Sequence, residues 1–308
     1  MSKTLAGVGS SERPHSKSKL NQNRLYRRFV IPSLLLLLLL TLIPILMTFG
    51  LSLSSLSFSS AAPTGYVGLR NYLRLFEDAR FINSIRVSIL LIAIPVALQM
   101  LFGFLIALVM SQQLKGLGWL RLIFVAPMVL PPIVMGLMWK VLFTPQLGGI
   151  NYFLSLVGLE GPSWLTEPNW ALTAIIITAL WGWTPFVALM FLTAMETFPK
   201  ELYDAASIDG ASWFQTVRHI MIPLLKPTAT VVLVFRIIEA LAIFPIIFVV
   251  TGGGPAGSTE TVNYYAYVNG FNFLKIAYAS AIIFIFFLLL VSLITPALWS
   301  IASSVEER

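Results

Sequence analysis

Six stretches of about 20 or more apolar residues, separated by short polar segments, restrict this chain to one kind of fold. They run over 29–51, 87–110, 122–143, 170–195, 227–250 and 276–301. A bilayer interior offers no water to backbone N–H and C=O groups, so each stretch must satisfy its own as a helix. The expected fold is therefore an all-α integral membrane protein of six transmembrane helices. Composition agrees, because 57% of the 308 residues are hydrophobic and 11% are charged, against about 25% charged in soluble domains. The mean hydropathy is +0.86. Ser60-Ala61-Ala62 resembles a leader-cleavage site, but the apolar run before it is about twice too long for a leader, so a retained helix is expected.

The net charge of +7 comes from Lys and Arg in short runs between apolar stretches. With no continuous basic patch, these are topology signals beside anionic lipid head groups rather than a nucleic-acid surface. Of the 20 Lys and Arg, placing the amino terminus in the cytoplasm puts Arg70, Arg74, Arg80, Arg86, Lys140 and Lys275 outside, Arg236 within a span and the other 13 inside. That imbalance predicts a multi-pass protein of the inner (plasma) membrane with both termini cytoplasmic. The segment 69–76 reads as an interfacial helix, its charge partly offset by Glu77 and Asp78. Residues 1–23 are Ser-, Lys- and Asn-rich, which predicts a disordered cytoplasmic tail ahead of one transmembrane domain over 24–308. Cys is absent and the two His, His15 and His219, are far apart. No disulfide framework, metal centre or catalytic residue is expected.

The most informative segment lies between the fourth and fifth spans, about 197–223. Pro199 just inside a start and Gly210 just past an end bracket one short helix. Ser212 followed by Gln215 is a capping-box pattern that opens another. An Asp209-Gly210 turn, with positive φ at Gly210, joins them. Leu202, Ala205 and Ala206 form a small apolar ridge at helical spacing, flanked by the charges of Lys200, Glu201 and Asp204. Such a ridge suits either close docking on a partner or rest against a membrane surface.

Asp204-Ala205-Ala206, Asp209-Gly210-Ala211, Ile220 and Pro223 match the spacing of the EAA loop of binding-protein-dependent ABC permeases, with Asp204 where Glu is usual. In the family that this segment resembles, the loop is a coupling helix that seats in a cleft of the ATPase subunit. Gly116-Leu-Gly-Trp-Leu-Arg121, Pro131-Pro132 and Gly136-Leu-Met-Trp139-Lys140 are similar to the third span of maltose-type sugar permeases. Thr251-Gly-Gly-Gly-Pro255 through Glu260-Thr261 is similar to their outer loop after the fifth span. The resemblance, from about residue 67 to the carboxyl terminus, implies two permeases, an ATPase dimer that uses ATP and Mg, and an external sugar-binding protein. It leaves open whether the second permease is a related different chain, as expected, or another copy.

Arg236 and Glu239 are three residues apart within the fifth span, on one helix face. Neither belongs in lipid. They form either a mutual ion pair, with a link to a partner permease as a variant, or part of the sugar path. Trp181-Gly-Trp183-Thr-Pro185 offers aromatic faces beside a proline-induced break, and Gln99 adds a polar group in the second span. These five residues, Gln99, Trp181, Trp183, Arg236 and Glu239, are the substrate-path candidates.

No phosphate loop of the form Gly-x-x-x-x-Gly-Lys-[Ser/Thr] occurs in the sequence. The expected function is thus a transport subunit without its own ATPase site and with no cofactor of its own. It would couple a separate ATPase to passage of a sugar or sugar derivative. One rival is a membrane enzyme acting on lipid-linked sugars, which would cluster carboxylates at a membrane edge; Glu77, Asp78, Glu160, Glu167 and Glu260 are scattered in sequence. Another is a secondary transporter, which would show inverted repeats.

Overall fold

The computed structural model describes residues 16–59, 63–112, 118–145 and 148–306. The chain divides into two units, 1–50 and 51–308. The first holds most of α1 (Ser16–Ser52), which continues through Pro32 and Pro44. Its Thr41 and Thr48 hydroxyls donate to the Leu37 and Pro44 carbonyls, each at 2.8 Å, so that these polar groups are satisfied within the helix. Helix begins at Ser16, so 16–23, expected in the disordered tail, is helical. Lys17, Lys19, Leu20 and Gln22 are good helix formers. Residues 1–15, the rest of that expected tail, lie outside the described residues.

The second unit begins with α2 (Arg70–Glu77) and α3 (Ala79–Ser111). Asp78 separates them and caps α3, its side chain accepting from the Arg80 and Phe81 N–H groups. Then follow α4 (Gly118–Val129), α5 (Pro132–Leu142), α6 (Gly149–Leu156) and α7 (Pro168–Glu196). The short helices α8 (Lys200–Ile208) and α9 (Trp213–Thr216) lead through a π turn, Val217–Met221, into α10 (Ile222–Ala240). The chain ends with α11 (Phe244–Val250), α12 (Val262–Tyr267) and α13 (Ile276–Glu306).

Among the described residues, four helical stretches are long and apolar enough to cross a membrane: Phe29–Ser52, Ala79–Ser111, Pro168–Glu196 and Trp213–Ala240. The expected third and fifth spans are instead broken. The third breaks at Leu130-Pro131, between α4 and α5. Proline has no N–H to continue the ladder and disfavours helix at the residue before it, and two in succession stop α4. The fifth breaks over 241–243, just before Pro245 in the first turn of α11. Its helix also starts well before residue 227, because the π turn carries it past Pro223. Ile222 N–H donates to the Val217 carbonyl, and this wide turn accommodates the missing donor one residue later.

Lipid offers no hydrophobic drive to bring helices together, so close contact depends on small residues. α3 meets α7 in this way. A Cβ on Gly103 would lie 2.6 Å from Val187 Cγ1, and Ala107, Ala174, Ala179 and Ala188 are buried. Three apolar clusters fill the unit. Leu91, Met135, Phe143 and Ile247 belong to one, Leu108, Phe191, Met221 and Val232 to a second, and Leu75, Phe81, Val262 and Ile282 to a third.

Candidate functional site

The break after α10 lines a cavity of about 110 Å3, together with α3, α5, α7 and α11. Unpaired backbone at membrane depth is tolerated where it borders such a cavity or finds another partner. Here Asn263 Nδ2 donates to the freed Leu241 carbonyl at 2.8 Å. Into the cavity project Gln99, Trp183, Arg236 and Glu239. Gln99 is fully buried and spans two neighbours: Nε2 donates to the Ala179 carbonyl at 3.0 Å, and Oε1 accepts from Arg236 Nε at 3.1 Å. The Arg236 guanidinium also lies 4.4 Å from the centre of the Trp183 ring, a cation–π contact that suits a desolvated charge.

The Arg236–Glu239 ion pair, one of the two readings of that helix face, is not formed. Among the described residues the one ion pair is Arg80–Glu260. Arg236 and Glu239 share a face, but the Arg side chain turns toward Gln99 and Trp183 and leaves Nη1 buried without a hydrogen-bond partner. Trp181 is also separated from the other four candidates. Two residues along a helix turn the side chain to another face, and Trp181 packs edge-on against Trp139, 5.8 Å between ring centres. Nor does Pro185 break its helix: α7 runs through it without interruption. One absent donor does not end a helix whose flanking turns are buried against α3.

The second candidate site is the segment after α7. Helix α8 ends in a Schellman motif. Ala211 N–H donates to the Ala206 carbonyl at 2.9 Å and Gly210 N–H to the Ser207 carbonyl at 3.2 Å. This closure needs a left-handed residue, and Gly210 has φ of 70° with open space around it. Ser212 and Gln215 form a reciprocal capping box that starts α9. Leu202, Ala205, Ala206 and Asp209 lie along one face of α8 and, with Gly210, Ala211 and Ile220, line an open depression of about 430 Å3. Glu201 and Asp204 are exposed beside it, and Pro223 sits in the first turn of α10. Tyr203 anchors the helix underneath, against the cluster of Met195, Val217 and Met221. Burial pushes its phenol pKa up.

A third arrangement escaped the sequence reading. Asp78 accepts hydrogen bonds from the Tyr265 hydroxyl and, at 2.6 Å, from that of Tyr278. Arg80 grips Glu260 with two bonds, Nε to Oε2 at 2.6 Å and Nη2 to Oε1 at 2.8 Å. Asn83 Nδ2 reaches the Gly257 carbonyl at 3.0 Å. The start of α3 is thereby latched to 251–265. Burial tends to raise the Asp78 pKa, but its hydrogen bonds from Tyr265, Tyr278, Phe81 and Arg80 outweigh burial and hold it below the usual carboxylate range. The Tyr265 phenol is pushed up to about 12 by burial and by its bond to Asp78. Asp78 and Glu260, far apart in sequence, both reach this latch, yet each is held by its own donors and they form no free acid–base pair. The sequence signal was an Asp directly before a helix, the usual residue for a cap.

The sequence profile of a family described as "Binding-protein-dependent transport system inner membrane component" matches residues 99–301. The trehalose/maltose transport system permease protein MalF of Thermococcus litoralis is 37% identical over 90% of this chain and 93% of its own length. The sulfoquinovosyl glycerol transport system permease protein SmoG of Agrobacterium fabrum is 37% identical over 84% of each chain. The trehalose transport system permease protein SugA of Mycobacterium tuberculosis is 30% identical over 86% of this chain and 84% of its own. A chain in the crystal structure of a bacterial ABC transporter involved in the import of the acidic polysaccharide alginate has a TM-score of 0.76 at 21% identity. It covers 93% of this chain and 98% of that one, a likeness of fold.

Proposed function

Since the chain belongs to the family of inner-membrane components of binding-protein-dependent transport systems, we propose that it is a permease subunit of an ATP-driven importer of a sugar or sugar derivative. The observation that carries this reading is one helical stretch, Trp213–Ala240. It starts at the exposed loop beside α8 and ends with Arg236 and Glu239 at the buried cavity. A displacement at one end is thereby delivered to the other through a rigid element.

In this reading the α8 ridge and Asp204 seat on a separate ATPase, which binds ATP and Mg. A second permease completes the pathway and an external protein supplies the sugar. The chain crosses the membrane six times with both termini cytoplasmic, counting α4–α5 and α10–α11 as one broken crossing each. The relatives' names, which include trehalose, maltose and sulfoquinovosyl glycerol, support carbohydrate as the substrate class. Gln99, Trp183, Arg236 and Glu239 face the path, supplying hydrogen bonds and an aromatic face, as sugar recognition requires. Trp181 serves packing. Membership of a transport family weighs against the enzyme and secondary-transporter readings.

The test is reconstitution with the neighbouring subunits and measurement of sugar-stimulated ATP hydrolysis in the presence of the binding protein. Arg236→Met should remove stimulation while leaving the assembly intact. Unchanged stimulation in that variant would take the cavity off the sugar path, and failure of any sugar to stimulate the native assembly would sink the importer reading.

A further inference from the structure

We propose that the cavity beside α2 holds the phosphate-bearing head group of an anionic phospholipid, whose acyl chains lie along the apolar stripe of that helix. Helix α2 carries three stripes. Asn71 and Leu75 face inward and are buried, with Asn71 Nδ2 donating to the Ser52 and Ser54 carbonyls at 2.7 and 2.8 Å. Leu69, Leu73 and Phe76, at successive turns, are 64, 66 and 70% exposed. Arg70, Arg74 and Glu77 run between these two stripes at helical spacing. They line a cavity of about 590 Å3 with Ser55, Ser57 and Lys275, a size suited to a small polar group.

The charge in this cavity is unbalanced. Asp78 is also in its wall, but its two oxygens already accept from Tyr265, Tyr278 and two backbone N–H groups. Among the described residues the one ion pair lies elsewhere, at Arg80–Glu260. Arg70, Arg74 and Lys275 thus line one cavity with Glu77 as the only carboxylate in its wall not otherwise engaged. Lys275 comes from the start of α13, its Nζ 5.5 Å from the centre of the Phe273 ring. Phosphate is the anion that such a set of donors suits. The neighbouring apolar stripe selects a lipid over a soluble phosphate. A soluble anion would use the cations and leave Leu69, Leu73 and Phe76 without purpose, whereas a phospholipid meets both stripes at once. The inference depends neither on the importer reading nor on which leaflet α2 meets.

The experiment uses the full chain with its co-purifying partners in detergent. It is titrated with phosphatidylglycerol, with phosphatidylcholine of the same acyl chains, and with glycerol phosphate, and native mass spectrometry reads bound lipid. The expected result is preferential retention of phosphatidylglycerol. Each cation removed should weaken that retention about five-fold, and Arg70→Gln with Arg74→Gln roughly 30-fold. Binding of phosphatidylcholine should not change. Lys275→Gln, outside α2, should show the single-cation effect even if the double variant is poorly folded. Arg86→Gln, a cation outside the cavity, should change nothing. Equal retention of the two lipids by the native chain, or undiminished phosphatidylglycerol in both cavity variants, overturns the proposal. Glycerol phosphate competing as well as the lipid would make this a soluble-anion site and also overturn it. Loss of a co-purifying protein with lipid retention unchanged would do the same, in favour of a protein dock.

Discussion

The loops flanking α10 and α11 are built on opposite principles. After α11, 251–265 is tied down by paired polar groups, although the Ser258 and Thr261 hydroxyls are buried without a partner. Glu260 is 1% exposed and held by Arg80, Thr251 and Thr259 join hydroxyls at 2.7 Å, and Asp78 and Asn83 bind the same region from α3. Before α10, the hydrogen bonds of the loop carrying α8 and α9 stay within about a turn of their own helices. Its larger apolar side chains stay in the open, with Ile208 85%, Trp213 58% and Phe214 64% exposed. The first loop is held in shape by the start of α3; the second has a firm frame and an unfinished surface. An ion pair that engages a buried carboxylate sets a shape, whereas exposed Trp and Phe are the residues that interfaces favour.

The largest expected effect is at the open end. If its surface is completed by the proposed ATPase, Asp204→Lys reverses a charge at the edge of the ridge. It should lower ATPase retention on a tagged permease by at least about tenfold and abolish uptake, while the helices still insert. Asp204→Glu should remain near native. Full retention and uptake in the Lys variant would erase the contrast between the two ends.

At the latched end, Arg80→Ala strands the buried Glu260 carboxylate. The destabilisation should reach about 1–2 kcal/mol, below that of a fully buried pair because Arg80 is half exposed. Thermal unfolding in detergent reads it, and adding Glu260→Gln should recover most of the loss. A double variant as unstable as the single one would mean that the pair does not act as a pair.

Gly210→Val comes next, at about 1–2 kcal/mol of strain. Its Cβ would meet open space, so the variant should assemble yet transport poorly, through a misdirected turn rather than a clash. Normal transport would show that the turn's shape does not matter.

The smallest effect is that of pH on Asp78. Its folded-state pKa lies below the ordinary carboxylate value, so its contribution is present above about pH 4 and is lost as pH falls from there through the folded value. The unfolding midpoints of the native chain and of Asp78→Asn should therefore converge in acid. A constant gap between them would assign the difference to packing.

What could be read in the sequence was what neighbouring residues decide. Leucine runs marked the helices, Asp-Gly marked the Schellman turn, and Ser212 with Gln215 marked the capping box. The double proline at 131–132 was visible too, yet its consequence was missed, because an apolar run looks the same whether one helix fills it or two. The candidate cavity was half legible. The polar residues within spans were found, but Trp181 and Trp183 could not be told apart, since only the packed neighbours distinguish two faces of a helix.

Apolar runs alone dictate that the chain is helical and membrane-embedded, because unsatisfied backbone is intolerable in lipid wherever the helices end up. Local residues likewise dictate the two-helix loop, because caps and a left-handed glycine act over a few residues. Helix packing, by contrast, sets the partner of Arg236 as Gln99, 137 residues away, rather than Glu239 three residues on. The same packing brings Asp78 to Tyr265 and Arg80 to Glu260, 187 and 180 residues apart. Those partners are chosen by which helices pack together. That choice follows from small residues such as Gly103 admitting close approach, a property of paired surfaces that one segment of sequence does not display.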